Sequence, residues 1–126
     1  MAVLEADKKQ NYYPTGPATT AAIAARLRPA KGIVRLYDPC AGEATALDEL
    51  RQALARPHAT VEAYGIEINA ERAKKAAARL GESRLLPVAF EATRVSHDAF
   101  GLLLLNPPYT RETLANENKQ HLPVEI

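Results

Sequence analysis

The sequence predicts an α/β fold: a three-layer α/β/α sandwich built on a partial parallel sheet of about four strands, in the order 3-2-1-4. Three observations predict it. Short apolar runs alternate along the chain with amphipathic segments of helical spacing, the pattern of strands joined by helical crossovers. Right-handed crossovers then leave few strand orders open. Finally, conspicuous polar residues stand directly after three of the runs, at Asp38, Glu67 and Asn106, where open α/β sheets place their ligands.

The elements follow in order. Gly16-Pro17 opens a helix expected over residues 18–27, with Pro17 suited to a first turn and Pro29 closing it. Ile33, Val34, Leu36 and Tyr37 form the first strand, which stops at Asp38-Pro39. In the next segment Leu47, Leu50 and Leu54 recur at helical steps, and Pro57 ends the pattern. The second strand is expected over residues 60–66. Asn69 can cap a third helix over residues 70–80, which Gly81 stops. The third strand, residues 84–90, is interrupted by Pro87 and so suits an edge. The fourth, residues 101–105, is a run of leucines ending in Asn106-Pro107-Pro108-Tyr109.

Composition narrows the function classes. The chain has 126 residues, enough for one domain with a buried core, and a net charge of +1 that by itself points to no nucleic-acid partner. One cysteine, Cys40, excludes an intramolecular disulfide framework and a cysteine-based zinc cluster. His58, His97 and His121 show no ligand spacing, so no metal is expected. The charged start, MAVLEADKKQ, lacks an apolar signal core, and no run is long enough to span a bilayer. The expectation is a cytoplasmic protein with a polar tail over residues 1–11, one domain over 12–110 and a helix and tail over 111–126. Arg72, Lys74, Lys75 and Arg79 read as the solvated face of the third helix, and Cys40 as a small packed residue.

Three strand ends carry the chemistry. The small-residue turn Asp38-Pro39-Cys40-Ala41-Gly42 allows backbone N–H groups to approach a ligand closely. Glu67 is placed to accept hydrogen bonds from ribose hydroxyls, although a solvated strand-end carboxylate gives the same pattern. In Asn106-Pro107-Pro108-Tyr109 two prolines fix the backbone, so the Asn106 side chain and the Pro107 carbonyl can both accept from an exocyclic amine while Tyr109 stacks on a base.

These segments resemble the class I S-adenosylmethionine-dependent amino-methyltransferases, and the DNA adenine-N6 methyltransferases among them. Asn106-Pro107-Pro108-Tyr109 resembles their catalytic NPPY tetrapeptide, and Asp38-Pro39-Cys40-Ala41-Gly42 the DPxxG form of their cofactor loop. Tyr12-Tyr13-Pro14-Thr15 resembles the segment that adenine-specific enzymes set against the cofactor's methionine end, and the order of the three segments resembles the gamma type. The resemblance covers residues 12–109 and implies a Rossmann-like fold, S-adenosyl-L-methionine as cofactor and DNA as partner. It implies that Asn106 and Pro107 hold the target amine, that Pro108 stiffens the corner and that Tyr109 stacks on the flipped base. Tyr13, Pro14, Thr15, Asp38, Pro39, Cys40, Ala41 and Gly42 would line the methionine end, and Glu67 with Ile68 the ribose side.

The sequence departs from the family in three places. Ala44 stands where a second loop glycine is usual, and Ala89 where an aspartate commonly holds the cofactor's adenine amine, with Glu91 close by. Both changes predict weakened cofactor affinity. The family's sheet continues past the tetrapeptide, so this chain reads as truncated after it, leaving strand 101–105 as an edge. That edge is expected to be covered by a second copy or by a separately encoded C-terminal half. Two further readings stay open: the same chemistry on RNA guanine or protein glutamine amines, and a non-catalytic interaction module that keeps the fold.

Overall fold

The computed structural model describes residues 14–107. The Tyr13, Pro108 and Tyr109 positions, the tail 1–11 and the segment 111–126 lie outside these residues.

Helix α1 (Pro17–Ala25) begins with proline in its first turn and ends two residues earlier than the sequence suggests. Pro29 bars its preceding residue from helical geometry, and the last turn closes through Arg26 and Leu27 N–H bonds to Ile23 and Ala24. Strand β1 (Gly32–Asp38) follows. Helix α2 (Thr45–Leu54) buries Leu47, Leu50 and Leu54 on one stripe and stops before Pro57 for the same steric reason. Strand β2 (Ala59–Ile66) pairs in parallel with β1 along its length, from Gly32 opposite Ala59 to Asp38 opposite Gly65. Helix α3 (Ala70–Leu80) has the predicted bounds, and the Asn69 side chain accepts the Arg72 N–H at 3.0 Å as its cap.

The two remaining strands are shorter than expected. Strand β3 is only Leu85–Leu86. Arg84 belongs to a 3₁₀ turn before it, Pro87 cannot donate to the ladder, and Phe90–Ala92 forms a second 3₁₀ turn. Strand β4 is Leu102–Leu103, flanked by further bonds from Gly101 N to Arg35 O and Leu104 N to Tyr37 O. The sheet order is β3-β2-β1-β4, all parallel, so the expected topology holds and β1 and β4 lie side by side.

Topology also decides where the helices sit. The β1-to-β2 and β2-to-β3 crossovers both move the same way along the sheet, so right-handedness puts α2 and α3 on one face. Their buried residues join Val34, Leu36, Val61, Ala63 and residues of α1 in one core. Leu36, Leu47, Leu50 and Leu54 are each at most 2% exposed, and each contributes roughly 1.5–3 kcal/mol of burial. Ala73 and Ala76 let α3 approach the sheet closely.

The return from β3 to β4 crosses the other face. There Phe100 stacks on Tyr37 (4.6 Å between ring centroids, 9° between planes) and leans on Tyr64. Glu62 pairs with Arg35 at 3.2 Å and Arg84 at 3.1 Å on the same face. Ile33, Leu103 and Leu105 remain exposed. No helix among the described residues is long and apolar enough to cross a membrane.

Candidate functional site

Strands β1 and β2 end together, and the chain leaving β1 folds back over the tip of β2. Asp38 starts this turn: its Oδ1 accepts the Cys40 N–H at 2.9 Å, and Ala41 N then donates to Ile66 O at 2.8 Å. Gly42 follows in the left-handed region (φ 61°) and donates its N–H to Glu67 Oε1 at 2.9 Å. Ala44 is also left-handed (φ 64°), which explains why glycine is the ordinary occupant there. A side chain in that region costs about 1–2 kcal/mol, partly offset because the Ala44 methyl is fully buried.

Gly65, which sequence reasoning does not single out, makes this fold-back possible. A Cβ at Gly65 would lie 2.7 Å from the Ala41 Cβ, closer than carbon atoms pack. The available signal was a glycine one residue from the end of a strand, which marks close backbone approach. Gly65→Ala is expected to destabilise the protein by about 1–3 kcal/mol and to push the 40–42 loop out of place. Thermal unfolding, with cofactor titration alongside, measures both.

Two carboxylates face this turn from inside the protein. Asp38 and Glu67 are each only 6% exposed. Burial, augmented by the charge of Glu67, raises Asp38 from the ordinary carboxylate range to about 7, against the Cys40 hydrogen bond that favours its anion. Glu67 is fixed by three groups: Gly42 N on Oε1, Asn69 N on Oε2 at 2.7 Å, and Arg72 Nη2 at 3.3 Å from Oε2. Arg72 is therefore not part of the solvated face expected of it. Its side chain is 11% exposed, while Lys74, Lys75 and Arg79 are exposed as expected.

Cys40 is half-buried, and burial with the charges of Asp38, Glu67 and Glu91 pushes its thiol up to about 11. A thiol so hard to ionise is a poor nucleophile. Pro39 is buried beneath the turn, and Ile68 stands out from the mouth at 69% exposure.

The third strand end joins the site from β4. Asn106 lies three residues beyond the end of β4, and its Nδ2 donates to Thr15 Oγ1 at 3.4 Å. This contact brings the segment before α1 to the tip of β4, across 91 positions of sequence. Pro107 is half-buried and Pro14 exposed. A separate cleft of about 490 Å³, lined by Leu27, Ile33, Asp98 and Phe100 among others, lies at the opposite, amino-terminal end of β1 and β4. It contains none of the expected site residues. Among the described residues no group of three or more His, Cys, Asp or Glu is placed to hold a metal ion.

The model of the family DUF6094, uncharacterised methyltransferases, matches residues 2–121. The chain belongs to this methyltransferase family. No curated protein matches the chain. Solved structures resemble it. A Listeria monocytogenes protein described as a class I S-adenosylmethionine-dependent methyltransferase superposes with a TM-score of 0.63 at 18% identity, over 87% of this chain and 37% of its own. The methyltransferase subunit of a type I restriction-modification system from Streptococcus thermophilus gives 0.57 at 22% identity, over 79% and 24%. The 23S rRNA methyltransferase ErmE gives 0.52 at 21%, over 90% and 45%. The DUF6094 chain thus has the α/β methyltransferase fold, and it spans less than half the length of each of these structures.

Proposed function

We propose that this chain performs S-adenosyl-L-methionine-dependent methylation of an exocyclic amine, with adenine in DNA as the target. The carrying observation is the meeting of Asn106 with Thr15 beside the β1 tip, where the Asp38 loop and Glu67 also converge. The residues at the β1 and β2 tips fit the cofactor chemically. Two buried carboxylates suit a ligand that carries positive charge and hydroxyl donors. Asp38 and the 40–42 backbone would hold the methionine end and Glu67 the ribose. When bound, the cofactor supplies an electrophilic methyl group on a sulfonium.

The chain's own part is alignment. Asn106, whose Nδ2 donates to Thr15 Oγ1, would accept from the target amine through its side-chain oxygen. The Pro107 carbonyl is a second acceptor. Together they would hold the amine with its lone pair directed at the methyl group, and the proton released on methylation leaves to water. Such positioning and electrostatic stabilisation can supply most of a rate enhancement.

Tritiated methyl transfer to adenine-containing DNA tests this reading. Activity confined to RNA or protein selects the second reading. Binding of cofactor with no turnover on DNA, RNA or protein selects the non-catalytic one.

The edge of β4 enters the same proposal. Leu104 N–H points to β1, so Leu103 and Leu105 direct their backbone groups away from it, and both side chains are exposed. We propose that a second copy or a separate C-terminal half pairs here. Sedimentation velocity is expected to show association, and a monomer persisting at high concentration would overturn the idea.

A further inference from the structure

We propose that Phe100 is a positioning residue: its stack on Tyr37 fixes the register of β4 against β1 and so sets where Asn106 stands. The inference deepens the amine reading above and rests on it for the role of Asn106.

The sequence of β4 leaves its register open. The strand meets β1 through two residue pairs, Leu36 with Leu102 and Tyr37 with Leu103, and residues 102–105 are all leucine. Leu102 and Leu104 pack against the helix-side core, while Leu103 and Leu105 are exposed. In most strands a one-residue slip turns the buried apolar set outward, and that penalty fixes the register. Here the slip puts Leu103, Leu104 and Leu105 where Leu102, Leu103 and Leu104 stand, so leucine replaces leucine on both faces. Backbone hydrogen bonding does not separate the two registers either, because every residue concerned carries the same N–H and C=O. Yet the slip draws Asn106 back by about 3.3 Å, away from the Thr15 hydroxyl to which it bonds.

Phe100 breaks this degeneracy. It is the only Phe, Tyr or Trp among residues 91–106. Tyr37 and Tyr64 stand opposite each other on β1 and β2, and the Phe100 ring lies parallel to the first at 4.6 Å and tilted against the second at 5.5 Å. Tyr37 is itself buried and belongs to the ladder that joins β1 to β2 along its whole length, so the slot is fixed before β4 enters it. Aromatic pairs have a preferred offset and separation. A slip of one residue step carries the ring off Tyr37 and loses the contact, so only one register keeps it.

Heteronuclear NMR of the full chain tests this through the contacts between the two strands. Wild type is expected to show one set of signals for residues 101–105, with Tyr37 opposite Leu103. In Phe100→Leu a second set with Tyr37 opposite Leu104 is expected, the register equilibrium having moved about tenfold, and Phe100→Tyr should show one set again. The decisive variant combines Phe100→Leu with Leu103→Thr. A slip would carry the threonine to the core-facing place of Leu102, so the double variant should regain a single register, which restored packing alone would not achieve. A single register in Phe100→Leu, or no recovery in the double variant, would overturn the inference. If Phe100→Leu does not fold, Phe100→Met, which keeps apolar bulk without a ring, replaces it in both arms. Methyl transfer should fall with the population of the native register while S-adenosylhomocysteine affinity stays within about threefold. A wild-type chain that transfers no methyl group would overturn the amine reading and with it the role given to Asn106, whereas the register contacts alone decide what Phe100 does.

Discussion

Asn106→Ala is expected to reduce methyl transfer by about 10²–10³-fold while changing S-adenosylhomocysteine affinity less than about threefold. The size follows from the proposed role, in which Asn106 supplies one of two acceptors that orient the amine: removing one preorganised polar group from a reacting centre has that order of effect. The selectivity follows from placement. Asn106 is exposed beyond β4, is no part of the buried core, and bonds to Thr15 ahead of α1. Single-turnover rates with saturating DNA, together with calorimetry and a melting curve, separate the outcomes. Equal loss of rate and cofactor affinity would show that Asn106 serves binding and not alignment.

The second large effect concerns Asp38. Its carboxyl titrates at about 7 in the folded protein against 3.8 for an unperturbed group, chiefly because it is buried. Between these values the folded state binds more protons than the unfolded one, so stability falls as pH rises from about 4 to about 7 and levels off above. Over that window the loss is on the order of 2–4 kcal/mol. Asp38→Asn keeps an oxygen for the Cys40 N–H and removes the charge. The variant should therefore be more stable than wild type at pH 8 by a similar amount, with little difference at pH 4. The same substitution should weaken cofactor binding at pH 8 by about tenfold or more, since it deletes a partner for positive charge. Denaturant unfolding at several pH values checks the first part, and a variant no more stable at pH 8 would refute it.

Much of this architecture was legible because local signals agreed with topology. Asn69 and Gly81 bound α3 where the sequence places them, and alternating strands and helices with right-handed crossovers gave the sheet order. Legibility failed where one local signal had more than one structural solution. Pro87 was read as an interruption of β3, but it ends the strand, and the chain then turns through Phe90–Ala92. Arg72 looked solvated because helical spacing tells which face a residue occupies, not which strand end lies opposite it. Gly65 passed unnoticed because its value lies in contact with Ala41, 24 positions away. At the site, motif order brought Asp38, Glu67 and Asn106 to one sheet edge on paper. The bond from Asn106 to Thr15 needed coordinates.

The pairing of β4 with β1 has a consequence for how the molecule assembles. Leu36 meets Leu102 across 66 positions, while its partner on the other side, Ala63, is 27 away. Closing the longer loop costs about 0.8 kcal/mol more in chain entropy, and only two residue pairs of strand repay it. The half that would grip the methyl donor can therefore form first, and Asn106 arrives late, beyond a strand held by only two residue pairs. If Asn106 orients the amine as proposed, heat or a loosened leucine on this short strand would silence chemistry before it dissolved the core.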